Sequence, residues 1–145
     1  MDKQRNKELI MCAEKVLRAS KKETYSLFKD KGLGNEILES YNGQVAALGV
    51  SILMTGLKPA LAIYYQNAPD GKASKPNTAY RRFVLEIIAR MLKENNKECA
   101  YDSAEKLVRN ALEMKDDSGL TRDIIDCSVA LKQVIRTYKF AESHE

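Results

Sequence analysis

The sequence predicts an all-α protein, a single compact bundle of five to six helices. Apolar residues recur with a helical period in several segments, and no segment alternates apolar and polar residues over a useful length. Only 3 prolines and 7 glycines interrupt the 145 residues. A hydrophobic content of 44% and a charged content of 30% are typical of a globular chain, and this length suits one domain. We therefore expect residues 1–145 to form a single α-helical domain.

The first helix is expected at about residues 2–20, because its apolar side chains return to one face at about 100° per residue. The opposite face carries four cations within an arc of about 80°, namely Lys7, Lys15, Arg18 and Lys22. A short helix around Tyr25 and Phe28 is expected next. Residues 32–35 are then expected to end this short helix, form a turn and provide the N-cap of the following helix.

The second main helix is expected at about residues 36–55. The stretch from Ser40 to Leu57 has no charged side chain, so a membrane span is the alternative interpretation. Polar residues and three glycines interrupt this stretch, whereas a span needs about 20 mostly apolar residues. We therefore expect a central helix that is buried on several sides. A stripe of small residues would let another helix approach it closely, namely Gly43, Ala46, Ala47 and Val50.

Four more helices are expected at about residues 59–66, 78–95, 101–114 and 121–141. Gly56 is expected to end the central helix, and Pro59 suits the first turn of the next one. The clearest loop is expected at residues 68–77, which contain two prolines, a glycine and two lysines. Residues 116–119 form the turn before the last helix.

The excess positive charge lies in two separate segments. The net charge is +4, from 24 Lys and Arg against 20 Asp and Glu. Residues 1–34 contribute +4 and residues 69–99 contribute +3, while residues 35–68 contribute −1 and residues 100–145 contribute −2. The two basic segments form one surface only if the fold brings them together, and such a surface would attract a polyanion.

No catalytic constellation is visible in the sequence. The single histidine, His144, lies next to the end of the sequence, where a Ser-His-Asp, Cys-His or histidine-based metal site would depend on it alone. No Walker loop or dinucleotide fingerprint occurs. We therefore expect no catalytic residue, no cofactor and no metal, and a protein that is not an enzyme.

Two groups of side chains have both a functional and a structural interpretation. Four aspartates are imaginable as metal ligands, but we expect a solvated face and acids that favour the start of a helix; they are Asp116, Asp117, Asp123 and Asp126. Cys12 and Cys127 fall on or near apolar faces and are expected to be inert core thiols. The 3 cysteines have no zinc-site spacing and no signal peptide is visible, so we expect reduced thiols and a cytoplasmic protein without a membrane segment.

Three features follow one another along the chain in a recognisable order. An amphipathic helix rich in Lys and Arg comes first. An uncharged helix follows, with YNGQV at residues 41–45, GL at 56–57 and ALA at 60–62, and YKFAE at residues 138–142 comes last. This ordered set resembles the small α-helical subunit of the type III-B CRISPR effector, the Cmr complex. The sequence departs from that family in lacking a Trp before the closing run and a proline within the central helix.

The resemblance implies a non-catalytic subunit that stacks on copies of itself in a short filament. Guide RNA paired with target RNA and other subunits of the Cmr complex are its implied partners, and cleavage belongs to those other subunits. Contact with phosphates needs only cations in a row. From charge and position, the best candidates for RNA contact are Lys15, Arg18 and Lys22, and the second group is Arg81, Arg82 and Lys139.

Aromatic side chains offer a further means of RNA contact. Five tyrosines are available to stack on bases, although most are expected in or beside the core; they are Tyr25, Tyr64, Tyr65, Tyr80 and Tyr138. A helical protein–protein adaptor without nucleic-acid binding remains the alternative function. The uncharged central helix and its small-residue stripe motivate that alternative.

Overall fold

The computed structural model describes residues 1–30, 34–66 and 76–142, with the backbone alone for residues 76–78. Within these ranges the chain forms six helices and two short strands, which confirms the predicted all-α bundle. The elements in chain order are α1 (Lys3–Ala19), β1 (Glu36–Leu38), α2 (Ser40–Thr55), α3 (Leu57–Tyr64), α4 (Pro76–Asn95), α5 (Ala104–Glu113), α6 (Ser118–Ile135) and β2 (Lys139–Ala141).

Helices α4 and α6 lie at the centre of the bundle. Both pack against α1, against α2 and against each other, and α3 and α5 complete the layer beside α4. The middle of α4 is buried almost all round, because its apolar residues outnumber its charged ones there. Its fully buried side chains are Val84, Leu85, Ile87, Ile88, Ala89 and Met91. Side chains that project from α1 and from the start of α4 are therefore held on a rigid core.

Helix α1 forms where the sequence predicts it. Asp2 is its N-cap, and the Asp2 carboxylate accepts a hydrogen bond of 2.8 Å from the backbone N–H of Arg5. Leu9, Ala13 and Leu17 are buried against the centre of the bundle. Because this stripe faces inward, Lys7, Lys15 and Arg18 on the opposite face are directed outward.

The two strands form a parallel sheet. Each strand lies where the sequence analysis predicted part of a helix. Glu36 lies opposite Lys139, and Leu38 lies opposite Ala141. The predicted helix start at residue 36 is wrong, because α2 begins at Ser40. The predicted extension of the last helix to residue 141 is also wrong, because α6 ends at Ile135. Strands of three residues are too short to show the alternation that identifies a strand in a sequence.

The segment after α1 is not the short helix that was predicted around Tyr25 and Phe28. It forms turns and then joins the sheet, where Phe28 makes an antiparallel bridge to Ile37. The backbone N–H of Lys29 donates to Glu36 at 2.9 Å, so this segment lies along β1. Residues 32 and 33 of the predicted stop and turn lie outside the described residues, and Asn35 caps no helix.

Helix α2 is buried on one side only, so the prediction that it is buried on several sides is wrong. Tyr41, Val45, Leu48 and Ile52 face the core. Most of the predicted small-residue stripe faces solvent instead of another helix, and only Ala46 within it is half-buried. We call the exposed side the outer face of α2; it comprises Gly43, Ala47, Val50, Leu53 and Met54.

Gly56 ends α2, as the sequence predicts, and α3 begins directly after it at Leu57. Gly56 has a φ of 92°, a region that residues with a side chain rarely adopt. The observed bounds of α4 and α5 differ from the predicted ones by a few residues, and most of the predicted loop at 68–77 lies outside the described residues. No helix in the described part of the chain is long and apolar enough to cross a bilayer.

Candidate nucleic-acid interface

The predicted cations at the end of α1 lie on the surface. The side chain of Lys15 is 69% exposed and that of Arg18 is 55% exposed. Lys22, just beyond the helix, is also exposed. All three are therefore reachable by a large ligand.

Two of these three cations pair with carboxylates. Lys15 Nζ lies 2.5 Å from Glu94 at the end of α4, and Lys97 Nζ lies 2.7 Å from the same carboxylate. Hydrogen bonds from Lys15 and Lys97 lower the pKa of Glu94, so this carboxylate stays ionised at neutral pH. The three side chains together carry one net positive charge.

Arg18 belongs to a group that joins α1 to the segment between α6 and β2. Its Nε lies 2.7 Å from Glu14, and the Tyr138 hydroxyl donates to Glu14 at 2.5 Å. Burial opposes ionisation of Glu14, but the hydrogen bonds from Tyr138 and Arg18 outweigh it, and the pKa of Glu14 is lowered. Burial and the bond to Glu14 raise the pKa of Tyr138 to about 12.

An aromatic pair connects the segment after α1 with the segment that leads into β2. The rings of Phe28 and Tyr138 meet edge to face at 5.4 Å, and Lys139 follows Tyr138 on β2 with an exposed side chain. Lys21 Nζ lies 5.0 Å from the centre of the Phe28 ring. Lys21 was missed by the sequence analysis, because only the three-dimensional position of Phe28 shows that it belongs to this region.

Arg81 and Arg82 lie in a second region, on the first half of α4. The Arg81 guanidinium is 5.4 Å from the centre of the Tyr64 ring, and its Nε donates to Gln44 at 3.2 Å. The Arg82 guanidinium is 4.5 Å from the centre of the Tyr65 ring. Cation–π contacts such as these orient a guanidinium without neutralising its charge.

A cavity connects the second region with the chain segment that carries Lys22. Thr24 and Tyr25, which follow Lys22 closely in the sequence, line this cavity together with Arg82 and Tyr65. Of the five tyrosines considered for base stacking, only Tyr64 is fully buried, at 2% exposure. The other four are half-buried at the edge of the core.

The aspartates of α6 have a structural partner. Arg5 lies 2.9 Å from Asp123 and 2.8 Å from Asp126, so these two carboxylates join α6 to α1 and do not form the solvated face that was expected. Asp116 instead accepts a bond of 3.0 Å from the backbone N–H of Ser118 at the start of the helix. Among the described residues, no cluster of three or more potential ligands is arranged to hold a metal.

The cysteines lie where the sequence predicts. Cys12 and Cys127 are buried, and burial raises the pKa of Cys12 to about 11 and that of Cys127 to about 12. Both thiols therefore remain protonated at neutral pH. His144 lies outside the described residues.

The comparisons with known proteins decide the family. Residues 1–137 match the family described as CRISPR-associated protein (Cas_Cmr5). The chain belongs to this family. The resemblance to the small subunit of the type III-B Cmr complex is thereby confirmed, and other Cmr subunits are partners of the Cas_Cmr5 chain. Searches of curated proteins and of solved structures gave no significant match.

Proposed function

We propose that this chain is a non-catalytic structural subunit of the Cmr complex that contacts RNA phosphates and stacks on copies of itself. The RNA role is supported by two observations: Lys15, Arg18, Lys22 and Lys139 are all exposed, and Tyr138, which donates to the Glu14 partner of Arg18, directly precedes Lys139. In the proposed contact, phosphates bind Lys15, Arg18, Lys22 and Lys139, with Arg81 and Arg82 as a second contact region.

The ion pairs of Lys15 and Arg18 do not oppose this role. Both are exposed pairs, which contribute about 0–1 kcal/mol. A phosphate can therefore replace Glu94 or Glu14 as the partner at little cost. Lys22 and Lys139 have no ion pair among the residues that the structure describes. A phosphate can therefore bind them without displacing a carboxylate.

The RNA role is tested by charge reversal at these two unpaired lysines, Lys22→Glu with Lys139→Glu. The matched control is Lys115→Glu with Arg122→Glu, which changes the net charge equally. Lys115 and Arg122 are exposed and lie towards the other end of the bundle, near the start of α6. Binding of single-stranded and duplex RNA is measured against salt concentration, with the isolated chain and with the assembled Cmr complex.

The Lys22/Lys139 variant should bind RNA more weakly, and its salt dependence should decrease by about 0.7 per lost contact with a single strand. The control should retain the slope of the parent. Equal binding and equal slopes for parent and Lys22/Lys139 variant, in both preparations, would contradict the proposed interface.

The stacking role is supported by the outer face of α2. Leu53 and Met54 are 75% and 79% exposed, and Val50 is 55% exposed. The face has no charge, and its small residues let a neighbouring helix approach closely. A second copy of this chain is the proposed occupant, since the stacking of such subunits is what the sequence resemblance implies.

Stacking is tested with Val50→Lys and Met54→Lys, against Met11→Lys as control. Met11 on α1 is 65% exposed and lies outside the outer face of α2. Sedimentation of the isolated chain and the number of copies in the assembled complex are measured. Fewer copies with the α2 variants are expected; an unchanged copy number with loss of a different Cmr subunit would show that the face binds that subunit instead.

The adaptor without RNA contact is the second candidate, and the same outer face favours it, because an apolar helix face serves any protein partner. The two candidates differ in their response to nuclease. Removal of RNA from the complex should weaken retention of this chain if it contacts RNA, whereas an adaptor would stay bound to the same extent.

A further inference from the structure

A narrow row of exposed residues runs along the outer face of α2. It comprises Gly43, Ala47, Val50 and Met54, which we call the α2 seam. Successive members are four, three and four residues apart, a spacing typical of the contact between two helices of a coiled coil. At about 100° per residue, all four fall within an arc of about 60°. Val50 is 55% exposed and Met54 is 79% exposed, so the described part of the chain leaves both largely uncovered.

The surface around the α2 seam carries no charge. Lys58 is the one charged residue between positions 40 and 66. Its ammonium is directed to the turn before α6, where it donates to the carbonyl of Met114 and lies 3.9 Å from Asp117. Helix α3 runs back beside α2, because the Tyr64 hydroxyl donates to the carbonyl of Gln44 at 2.7 Å. The exposed side chains of α3 are also uncharged; they are Pro59, Ala62 and Ile63.

Every described helix other than α2 and α3 has charged side chains on its exposed or half-exposed side. Cations without an ion pair among the described residues are Lys7 on α1, Arg82 on α4, Arg109 on α5 and Arg122 on α6. An unpaired charge is costly to bury. Among the described helix faces, the uncharged surface of α2 and α3 on a second copy therefore covers the α2 seam at the lowest electrostatic cost.

The sizes of the seam residues make α2 complementary to itself in one orientation. Gly43 and Ala47 form the small half of the seam, and Val50 and Met54 form the large half. In an antiparallel pair centred between Ala47 and Val50, Met54 lies opposite Gly43 and Val50 lies opposite Ala47. Each large side chain then fills the space beside a small residue, which close packing favours. A Cβ at Gly43 would have nothing within 4 Å, so the space for Met54 of a second copy is open.

We propose that two copies of the isolated chain pair through their α2 seams, with the two α2 helices antiparallel about a two-fold axis. Such a contact uses the same surface on both copies, so it closes at two copies. The outer face of α2 is also the face proposed for stacking in the complex, and one face holds one partner at a time. The pair therefore has to open before a copy stacks, and the inference goes beyond the proposed function by describing the chain outside the complex.

The area of the contact sets its expected strength. Helix α2 has 16 residues, and its face is about 24 Å long and about 10 Å wide, or about 240 Å². Stable protein interfaces bury about 800 Å² on each partner. Even with α3 beside α2, we therefore expect a weak pair that dissociates on dilution, as a form that opens before assembly requires.

Pairing is tested by sedimentation of the full isolated chain from micromolar to submillimolar concentration. The parent should change from monomer to dimer over this range and should form no larger species. Met54→Lys should weaken pairing roughly 10-fold or more, because it places a charge in the seam of both copies. Met11→Lys is the matched control, since Met11 is 65% exposed on α1 and lies outside the seam. It should pair as the parent does.

The orientation is tested by cross-linking two single-position variants with a short bismaleimide. Gly43→Cys and Met54→Cys are each combined with Cys99→Ser, because Cys99 is half-buried whereas Cys12 and Cys127 are buried. A mixture of the two variants should give a cross-linked dimer, since positions 43 and 54 meet in an antiparallel pair. Each variant alone should give none, because two equal positions then lie about 16 Å apart along the helix axis.

Three results would overturn the inference, and they separate it from the proposed function. A monomer at every concentration, with stacked copies still present in the assembled complex, would overturn the free pair and leave the stacking intact. Cross-linking of each variant alone but not of the mixture would show parallel helices and overturn the antiparallel pair. A monomer at every concentration, together with a copy number in the complex that Met54→Lys leaves unchanged, would contradict both the pair and the stacking through α2.

Discussion

The ammonium of Lys15 lies 2.5 Å from the carboxylate of Glu94, which ties the basic side of α1 to the end of α4. Glu94 holds Lys97 as well, so one carboxylate reduces the field of two lysines. The positive potential of the proposed RNA surface therefore depends on Glu94, which is itself negatively charged.

Glu94→Gln should strengthen RNA binding. The substitution releases Lys15 and Lys97 and adds one net positive charge near the α1 cations, so the salt dependence should become steeper by about 0.7 to 0.9 per additional phosphate contact. Binding is measured by fluorescence anisotropy over a salt series. Glu113→Gln on α5 is the control with the same change of charge, and an equal gain in both variants would indicate a non-specific effect of net charge.

Arg5→Ala should destabilise the fold, because it leaves the carboxylates of Asp123 and Asp126 without their partner between α1 and α6. Loss of hydrogen bonds to half-buried charged groups costs about 1–3 kcal/mol. Urea unfolding measures the change in the free energy of unfolding. Lys3→Ala, an exposed residue in the same turn of α1, should change it by less than about 0.5 kcal/mol.

Gly56→Ala should destabilise the protein by about 1–3 kcal/mol, because its φ of 92° and ψ of 166° are strained for a residue with a Cβ. Gly43→Ala is the matched glycine substitution within α2. A Cβ at position 43 has nothing within 4 Å, so alanine should stabilise the helix by up to about 1 kcal/mol. Thermal unfolding of the two variants should shift in opposite directions, and equal shifts would contradict this reading of Gly56.

Tyr138→Phe should remove a contribution of the hydroxyl to the free energy of unfolding, and the parent protein should lose the same contribution at alkaline pH. The pKa of Tyr138 is raised to about 12 in the folded chain, above its ordinary value of about 10. The stabilisation is therefore fully present below pH 10 and is lost as the pH rises through 12. The difference in free energy of unfolding between parent and variant should shrink over this interval, and a difference independent of pH would show that the hydroxyl bond to Glu14 contributes little.

Thiol labelling should separate the three cysteines. Cys99 is half-buried, whereas Cys12 and Cys127 are buried and have raised pKa values, so Cys99 should react first with a thiol reagent at neutral pH. Mass spectrometry of the labelled peptides measures the order. A Cys99→Ser variant should show no fast reaction, and rapid labelling of Cys127 in native conditions would contradict its burial.

Local periodicity was sufficient to predict much of the fold. The stripe of Leu9, Ala13 and Leu17 predicts α1 and its outward cations, because the pattern and the burial have the same cause. The exposed side of α2 was not predictable in this way. Val50 and Leu53 are as apolar as the buried residues of that helix, so composition alone does not distinguish its two sides.

The partners of charged side chains were the least predictable part of the candidate interface. The ion pair of Lys15 with Glu94 joins residues far apart in the sequence, and only the packing of α1 on α4 defines it. The same holds for the ring of Tyr65 under Arg82. The charges could be counted from the sequence, but their neutralisation depends on tertiary contacts.

The pairing of Glu36 with Lys139 spans about 100 residues of chain. During synthesis, one edge of β1 therefore stays unpaired until nearly all of the helical sequence has left the ribosome. An unpaired strand edge is a site where other chains can add. The antiparallel bridge from Phe28 to Ile37 forms between near neighbours and limits this exposure to the side that β2 later covers.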